Sequence, residues 1–259
     1  MCFLTCVLVM LKFDESEFKK FANAIFDFSA GVYEFRALNA AISKANKIEL
    51  ANQGYEPTLA GWFDRVDHIR FEAKRLHGVS GYLTVNPINS SLASDRWKNE
   101  LKYLSRKNGR YGTEADDVAL LRYMIVDIDV ERGIEKGNPK EGISATNEEL
   151  ALALGKRDEI LDAHPKLRDA ALWGTSGNGG WILVRLPDYP NDQKHRDLVA
   201  GSLHTLAERH GKKKRDKAFI DTDTKNPNRH LGIPGTLKCK GADLPDRPWR
   251  IITVDGRGF

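Results

Sequence analysis

The sequence is short of cysteine, proline and long apolar runs, and each shortage excludes a class of protein. Its 259 residues include three cysteines, Cys2, Cys6 and Cys239, with no Cys-x-x-Cys pair. Neither a disulfide framework nor a zinc ribbon is therefore expected. Ten prolines and 22 glycines beside 41% hydrophobic residues exclude a collagen-like or disordered chain. We expect a globular protein of a reducing, intracellular compartment that holds no zinc.

The longest apolar run is the first eleven residues, and it is too short to cross a bilayer. No Lys or Arg precedes it, so a signal peptide is not expected, and the sequence predicts a cytoplasmic protein with no membrane partner. Asp14 and Glu17 have the spacing of a capping box at the start of a helix, which makes Met10 an alternative start of the chain. A net charge of +4 permits a polyanionic partner without requiring one.

Several catalytic signatures are also missing. The chain has no Gly-x-Ser-x-Gly elbow, no His-Glu-x-x-His pair and no Gly-Lys-Ser/Thr after a glycine-rich loop. These absences argue against an α/β-hydrolase, a zincin and a Walker-type nucleotide site. No His-x-His pair is present either, which argues against nickases of that type.

The hydrophobic pattern from residue 120 onwards differs from that of the preceding part of the chain. In the first part the pattern predicts a helix at 15–26, a strand at 31–38 and a turn-rich segment at 54–63. A helix at 65–77, a strand at 81–88 and a helix at 94–105 are predicted to follow. The second part predicts a buried strand, a helix opened by the capping box of Thr146 and Glu149, a strand–turn–strand hairpin and a helix, at 120–130, 146–163, 170–187 and 193–210. Short strands and loops follow. This β-α-β-β-α-β order with antiparallel pairs indicates an α+β fold with a split βαβ palm.

Two carboxylates end the apolar strand 120–130. Asp127 and Asp129 are two residues apart, so in a strand they share one face with Cα atoms about 6.6 Å apart. Charges so close are stabilised by a divalent cation that prefers oxygen ligands, such as Mg2+ or Mn2+. The alternative is that the strand ends there and both acids face water, because a single Asp-x-Asp pair is a weak signal.

The segment SGNGG, 176–180, lies between two apolar strands. Its glycines allow backbone amides to converge on a phosphate. The alternative is an ordinary hairpin turn, for which Asn-Gly is a strong signal.

A third polar segment begins at Asp221, after the apolar pair Phe219-Ile220, and Arg229, Lys238 and Lys240 follow it. One carboxylate with several cations suits a metal-bound polyphosphate, because arginine binds two phosphate oxygens at once. A surface loop with scattered charges is the alternative. The basic run 212–215 fits either a solvated helix end or a nucleic-acid contact.

Taken in order, these segments resemble the motif series of the archaeo-eukaryotic primase superfamily, in particular its phage, plasmid and CRISPR-associated primase-polymerase branch. The resemblance covers about residues 28–254 and is carried by the strand with Glu34 and Arg36, by GWFD, VNP, VDIDVER, SATNEE and SGNGGW, and by IDTDTKNPNRHLGIPGTLKCKG. It implies one catalytic domain, 1–259, with an N-terminal α/β subdomain at about 12–118. An RRM-like palm with a mixed or antiparallel sheet would follow at about 119–259.

The resemblance also implies a role for each matching position. Asp127, Asp129 and Asp221 would be catalytic and would hold two Mg2+ or Mn2+ ions. The implied nucleotide-binding residues are Ser176, Gly177, Asn178, Arg229, His230 and Lys238. The implied activity is that of a DNA primase-polymerase, which makes and extends primers from dNTPs or NTPs on single-stranded DNA. A helicase, phage or CRISPR replication proteins, or a fused C-terminal domain are the further partners that it implies.

Two positions depart from the family pattern. Relatives usually carry a histidine where this chain has Trp181, and an indole offers only one N–H. A phosphate contact would then pass to Arg185 or His230, or catalysis would be weakened. Asp223 is either a fourth acid near the metals or a solvent-facing residue. Two other functions therefore stay open: a module that only binds nucleotide or single-stranded nucleic acid, and a metal-dependent nuclease.

Overall fold

A computed structural model describes residues 12–38, 40, 44–91, 98–105, 112–132 and 142–259. Within these ranges the chain forms a mixed α+β fold whose two five-stranded sheets are antiparallel throughout. The helices are α1 (Glu15–Ile25), α2 (Lys44–Asn52), α3 (Val66–Arg75), α4 (Asn147–Ala163), α5 (Pro165–Asp169) and α6 (Gln193–His210). The strands are β1 (Tyr33–Ala37), β2 (Tyr55–Phe63), β3 (Gly81–Thr84), β4 (Lys102–Ser105), β5 (Leu120–Val130), β6 (Ala171–Thr175), β7 (Gly180–Pro190), β8 (Ala218–Asp221), β9 (His230–Gly232), β10 (Leu237–Lys238), β11 (Arg250–Ile251) and β12 (Thr253–Arg257). Short 3-10 helices cover Ala115–Asp117 and Thr222–Lys225.

The second sheet is the predicted palm, with strand order β12-β6-β7-β5-β8. Its elements follow one another as β5, α4, β6, β7, α6 and β8, which confirms the predicted β-α-β-β-α-β order. Strand β5 lies between β7 and β8 and is buried along most of its length. Thr146 and Glu149 form the predicted capping box, and α4 ends at Ala163. The apolar run 120–130 is therefore a central strand, as its continuous hydrophobicity predicts.

The first sheet has the order β4-β2-β1-β3-β9. Its last strand comes from the C-terminal half, because His230 pairs with Thr84 and Gly232 pairs with Tyr82. The chain therefore crosses back from the palm to the first sheet after β8. The subdomain boundary near residue 118 stays a prediction, and β9 is a segment beyond that boundary which lies in the first sheet.

Two expectations for the first half are wrong. The segment 54–63, expected to be rich in turns, is strand β2, and its pairing with β4 is irregular between Tyr55 and Leu59. Pro57 lies within that irregularity, where its missing N–H interrupts no regular ladder bond on that side. The expected helix 94–105 contains strand β4, which pairs with β2 at the sheet edge, and its residues 94–97 lie outside the described part. Tertiary pairing overrides local helix propensity here.

Helix α1 joins the two sheets. Asp14 caps it by accepting hydrogen bonds from the amides of Ser16 and Glu17. The carboxylate of Glu17 does not close a capping box but accepts the Val254 N–H of β12 at 2.6 Å. The face of α1 that carries Phe18, Phe21 and Ile25 packs into a core shared by both sheets, with residues such as Tyr33, Phe35, Tyr123, Ile125 and Trp181. A second core lies between the other face of the palm and helices α4 and α6. None of the described helices combines the length and apolarity needed to cross a bilayer.

Candidate active site

Strand register brings the three predicted acids to one face of the palm. Asp127 of β5 is directly opposite Asp221 of β8, and directly opposed residues of antiparallel strands have Cβ atoms about 4.5–5.5 Å apart. Asp129, two residues along β5, lies on the same face as Asp127. The structure thus confirms that the Asp-x-Asp pair and the acid after Ile220 lie together.

These acids line a pocket of about 420 Å³ between the palm and the first sheet, a volume in the range of small-molecule sites. Both acidic and basic side chains line it: Asp127, Asp129 and Asp221 form what we call the acidic wall, and Arg229, Lys238 and Lys240 the basic wall. The lining residues are Arg36, Leu38, Tyr82, Ile125, Asp127, Asp129, Arg132, Ser176, Asn178, Asp221, Thr224, Arg229, His230, Leu231, Gly232, Lys238 and Lys240. All but one of the predicted site residues are therefore in one place, and the exception is Gly177.

Asp127 lies near two other carboxylates, and the nearby cations neutralise this negative charge only in part. Burial, together with the neighbouring charges of Asp129 and Asp221, raises the pKa of Asp127 to about 6. Lys238 and Arg229 oppose this rise only in part. A half-buried carboxylate in such surroundings is a typical feature of a functional site.

The other two acids have defined partners. Asp129 accepts a hydrogen bond from Arg132 at 2.7 Å, and the same guanidinium donates to the carbonyl of Asn178 at 2.7 Å. Asp221 accepts the amide N–H of Asp223 at 3.1 Å, and one of its oxygens lies 3.6 Å from the Arg229 guanidinium. Arg132 therefore fastens the glycine turn to the end of β5 and orients Asp129.

The donor chemistry of this acidic wall fits Mg2+ or Mn2+. Its ligands are carboxylate oxygens, and the surplus charge at Asp127 is what a divalent cation would neutralise. Among the described residues, no group of three or more His, Cys, Asp or Glu side chains is arranged to hold an ion by itself. Mg2+ commonly completes its coordination with water and substrate phosphates instead of with protein ligands alone. The acids therefore fit ions that bind together with a phosphate-bearing substrate.

The glycine turn 176–179 contributes side chains to the pocket. The amides of Ser176, Gly177, Asn178 and Gly179 all donate within the turn, to the Gly179 carbonyl, the Thr175 hydroxyl or the Ser176 hydroxyl. The expected convergence of amides on a phosphate is therefore not what this turn provides. Gly177 has φ +81°, in the left-handed region that favours glycine, and a Cβ at Gly179 would lie 2.4 Å from the Ile128 carbonyl oxygen.

Asn178 offers a donor in place of the amides. Its Oδ1 accepts the Ala145 N–H at 2.8 Å, which fixes the orientation of the side-chain amide. Its Nδ2 is buried and has no hydrogen-bond partner among the described residues. A buried unpaired donor is costly. Because Asn178 lines the pocket, an anionic ligand there could satisfy this donor.

The basic wall includes Lys238, Lys240 and Arg229. Lys238 donates to the Tyr82 hydroxyl at 2.7 Å, and its ammonium also lies 4.5 Å from the centre of that ring. Burial, followed by the charge of Arg132, lowers the pKa of Lys240. Neither lysine forms a salt bridge within the described ranges, so both can pair with an incoming anion.

The pocket wall from the first sheet contains a buried ionic network. The carboxylate of Glu34 is fully buried and accepts two hydrogen bonds from Arg36, at 2.7 and 3.1 Å, and a third from the Thr113 N–H at 3.1 Å. Burial alone would raise the pKa of Glu34, but His230 and Arg36 outweigh it and hold the value at about 2. Nε2 of His230 lies 3.3 Å from Glu34, and burial lowers the pKa of His230.

Three residues that the sequence singled out are not in the pocket. Trp181 faces the shared core and is fully buried, with an indole N–H that has no hydrogen-bond partner in the described part of the chain. Arg185 lies four residues further along β7 and pairs with Asp188 at 2.6 Å, so it cannot replace a pocket histidine. Asp223 is exposed on the 3-10 helix, which favours the solvent-facing alternative over a fourth metal ligand.

The run 212–215 is engaged in local contacts. Lys212 and Arg215 both pair with Glu208, and Arg215 also pairs with Asp216. These contacts are those of a solvated helix end, and a nucleic-acid contact stays a prediction.

Sequence reasoning did not assign a site role to four polar pocket residues: Arg36, Tyr82, Arg132 and Thr224. Arg36 and Arg132 both lie in segments that carry the family resemblance, and their place in these motifs is the sequence signal that could have identified them. Thr224 bonds the carbonyls of Ile125 and Asp221, at 3.0 and 2.7 Å, and thereby holds the 3-10 helix against β5. Tyr82 has no local signal, because only the pairing of β3 with β1 and β9 brings it to the pocket.

The sequence matches no protein-family model and no curated protein. Among solved structures, the chain is similar to the polymerase domain of ligase D from Mycobacterium tuberculosis, a structure determined in complex with DNA. The identity is 13%, the alignment covers 91% of this chain and 78% of that one, and the TM-score is 0.45.

Proposed function

We propose that this chain is a metal-dependent nucleotidyltransferase, a primase-polymerase that joins nucleotides on a single-stranded DNA template. The observation that carries the proposal is that one pocket brings together three carboxylates and several cations. Asp127, Asp129 and Asp221 line it together with Arg229, Lys238 and further cations. Two-metal nucleotidyl transfer needs carboxylates for the ions and cations for the triphosphate.

Each wall would have its own task. Asp127, Asp129 and Asp221 would hold two Mg2+ or Mn2+ ions. When bound, the ions would lower the pKa of a primer 3′-hydroxyl and neutralise charge on the leaving pyrophosphate. Arg229 and Lys238 would bind phosphate oxygens and fix the triphosphate for in-line attack on its α-phosphate. The bond that forms joins the 3′-oxygen to the α-phosphorus, and the bond that breaks releases pyrophosphate.

The glycine turn would position the nucleotide at the junction of the two walls. Asn178 Nδ2 is a buried donor without a described partner, and Arg132 connects this turn to Asp129. A phosphate oxygen bound by Asn178 would therefore lie at a fixed position relative to the three acids. The ordered motif resemblance to primase-polymerases supports the same substrate.

The nuclease alternative is less well supported by the pocket. Cutting a phosphodiester also uses carboxylates and metal ions, so the acidic wall fits both reactions. The cations Lys238, Lys240 and Arg229 add more positive charge than one scissile phosphate requires, and they suit a triphosphate. The binding-only alternative rests on Trp181, whose burial in the core leaves the pocket without the histidine usual in relatives.

The test is primer extension and de novo synthesis on single-stranded DNA, with Mn2+ or Mg2+ and labelled dNTPs or NTPs. The native chain is compared with the double variant Asp127→Asn and Asp129→Asn, and with Asp223→Asn as a matched control from the exposed loop. Product from the native chain and the control, with none from the double variant, is the expected result. Absence of product from the native chain, with nucleotide binding retained, would leave the binding-only function. Shortened template or primer without elongation would indicate the nuclease.

A further inference from the structure

The pocket side of the first sheet is polar because strand β1 alternates. Tyr33, Phe35 and Ala37 lie in the shared core, whereas Glu34 and Arg36 lie on the opposite face by the two-residue period of a strand. Arg36 is opposite Tyr82 in the β1–β3 pair, and both side chains line the pocket. A charged pair therefore occupies a strand whose other side is wholly apolar.

The guanidinium of Arg36 is held in one orientation. Its Nε and Nη2 atoms donate to the two oxygens of Glu34, at 2.7 and 3.1 Å. On its outer side, a Cβ at Gly112 would lie only 2.3 Å from Nη2, so the glycine lets the guanidinium occupy this place. Nη1 makes no hydrogen bond to any described residue, so its two N–H groups remain as donors. A two-point ion pair is geometrically specific, which is the property that makes arginine suited to phosphate recognition.

Stability alone is a poor reason for this pair. Glu34 has no exposed surface, and the desolvation of a buried ion pair offsets much of its attraction, so apolar side chains would stabilise the sheet as well or better. The Glu34–Arg36 pair instead serves to orient side chains, because Glu34 also accepts the Thr113 N–H and lies 3.3 Å from His230 Nε2. The network therefore fixes the side chain of Arg36 relative to one buried carboxylate, which also lies beside His230.

We infer that Arg36 binds the terminal phosphate of the incoming nucleoside triphosphate and that Glu34 is its positioning residue. This inference rests on the proposed function. The reacting α-phosphate must lie beside Asp127 and Asp221, which belong to the palm. Arg36 belongs to the other sheet and lines the same pocket, so it would meet the phosphates that extend from the palm acids toward that sheet. The pair makes the pocket selective for triphosphates over monophosphates.

The experiment is equilibrium binding of dATP, ATP, dAMP and AMP to the full chain in Mn2+, measured by titration calorimetry without template. Arg36→Lys keeps the charge but loses the planar fork, and loss of one charge-assisted hydrogen bond predicts a fall in triphosphate affinity of roughly tenfold or more. Monophosphate affinity should stay unchanged. Glu34→Gln should reproduce the same selective loss, because the guanidinium is no longer held by a charge. Arg75→Lys, which alters an exposed pair with Glu72 on α3, is the matched control and should change neither affinity.

The outcomes separate this inference from the proposed function. If native protein binds triphosphate and Arg36→Lys binds it equally well, the inference fails while the proposed function stands. Equal losses for mono- and triphosphate would show a structural role and would also overturn it. If the native chain binds no nucleotide, both fail together. Should Glu34→Gln not fold, as judged by circular dichroism and thermal unfolding, Arg36→Lys alone decides.

Discussion

Replacing Asp127 by asparagine should make the apoprotein more stable at neutral pH. The carboxylate lies among like charges and is partly removed from water, and its pKa rises from 3.8 to about 6. At 1.36 kcal/mol per pH unit, this rise corresponds to a penalty of about 3 kcal/mol when the group is fully ionised. Asparagine has nearly the same shape and carries no charge, so Asp127→Asn removes the penalty.

The sign of the pH dependence follows from the raised pKa. Between about pH 4 and pH 6 the folded state binds more protons at Asp127 than the unfolded state does, so this group's contribution to stability falls as pH rises through that window. Well below pH 3.8 Asp127 is protonated in both states and resembles asparagine. The stability difference between Asp127→Asn and the native chain should therefore be about 0.5 kcal/mol at pH 4 and about 3 kcal/mol at pH 7.5.

The assay is urea denaturation followed by circular dichroism, in the presence of EDTA, at both pH values. Comparing variant with native chain at each pH cancels the titration of all other groups. Asp223→Asn, on the exposed 3-10 helix, is the control and should shift the midpoint little at either pH. A difference of the same size at pH 4 and pH 7.5, or a less stable Asp127→Asn at pH 7.5, would refute the electrostatic reasoning. Added Mn2+ should narrow the difference, because the cation stabilises the native acids.

Three further predictions concern packing and turns. Gly177→Ala, at φ +81°, should destabilise the fold by about 1 kcal/mol or more and weaken nucleotide binding, whereas Gly201→Ala, inside α6 with open space around it, should stabilise by about 0.5–1 kcal/mol in the same denaturation assay. Trp181→Ala should cost roughly 3–5 kcal/mol by urea denaturation, because the ring is fully buried, and a loss below 1 kcal/mol would contradict this packing. Thr146→Ala should cost about 1 kcal/mol through the lost helix cap, and Thr146→Ser should restore most of it.

The palm could be predicted from the sequence because its signals are local. A continuous apolar run gives β5, a Thr-x-x-Glu box begins α4, and Asn-Gly between apolar segments marks the β6–β7 turn. Two of the acids could be placed on one face for a similar reason, because Asp127 and Asp129 share a face by the period of a strand. Asp221 could be assigned to the same site only through the family resemblance, because its pairing with Asp127 joins strands that are far apart in the sequence.

The first sheet and the basic wall could not be predicted in this way, because non-local pairing forms them. Strand β2 contains Pro57 and Gly61 and follows Gly54, so its sequence resembles a turn until β1 and β4 pair with it. Strand β4 has four residues and no strong periodicity. Arg36 and Tyr82 reach the pocket only because β9 returns from the palm and pairs with β3. A crossing of this kind leaves no signature in any local window of residues.

Trp181 is buried and contributes no side chain to the pocket. One row of residues crosses the palm from Val254 through Gly174 and Trp181 to Asp127 and Asp221. A Cβ at Gly174 would lie 2.5 Å from the indole, so the glycine gives the ring its place in the core. Trp181 therefore fills the shared core beside Asp127 and does not line the pocket.

On the proposed function, the cations for a triphosphate would come from other parts of the fold. Lys238 and Lys240 follow β9 along the chain, and Arg36 is fixed by Glu34 in the first sheet. In a palm with a histidine at the position of Trp181, acid and phosphate ligand would share one sheet. Here the acids belong to the palm and the oriented arginine to the other sheet, so nucleotide binding as proposed would depend on how the two sheets pack. A substitution in the core between them, such as Trp181→Ala, should then weaken triphosphate binding although Trp181 does not itself line the pocket.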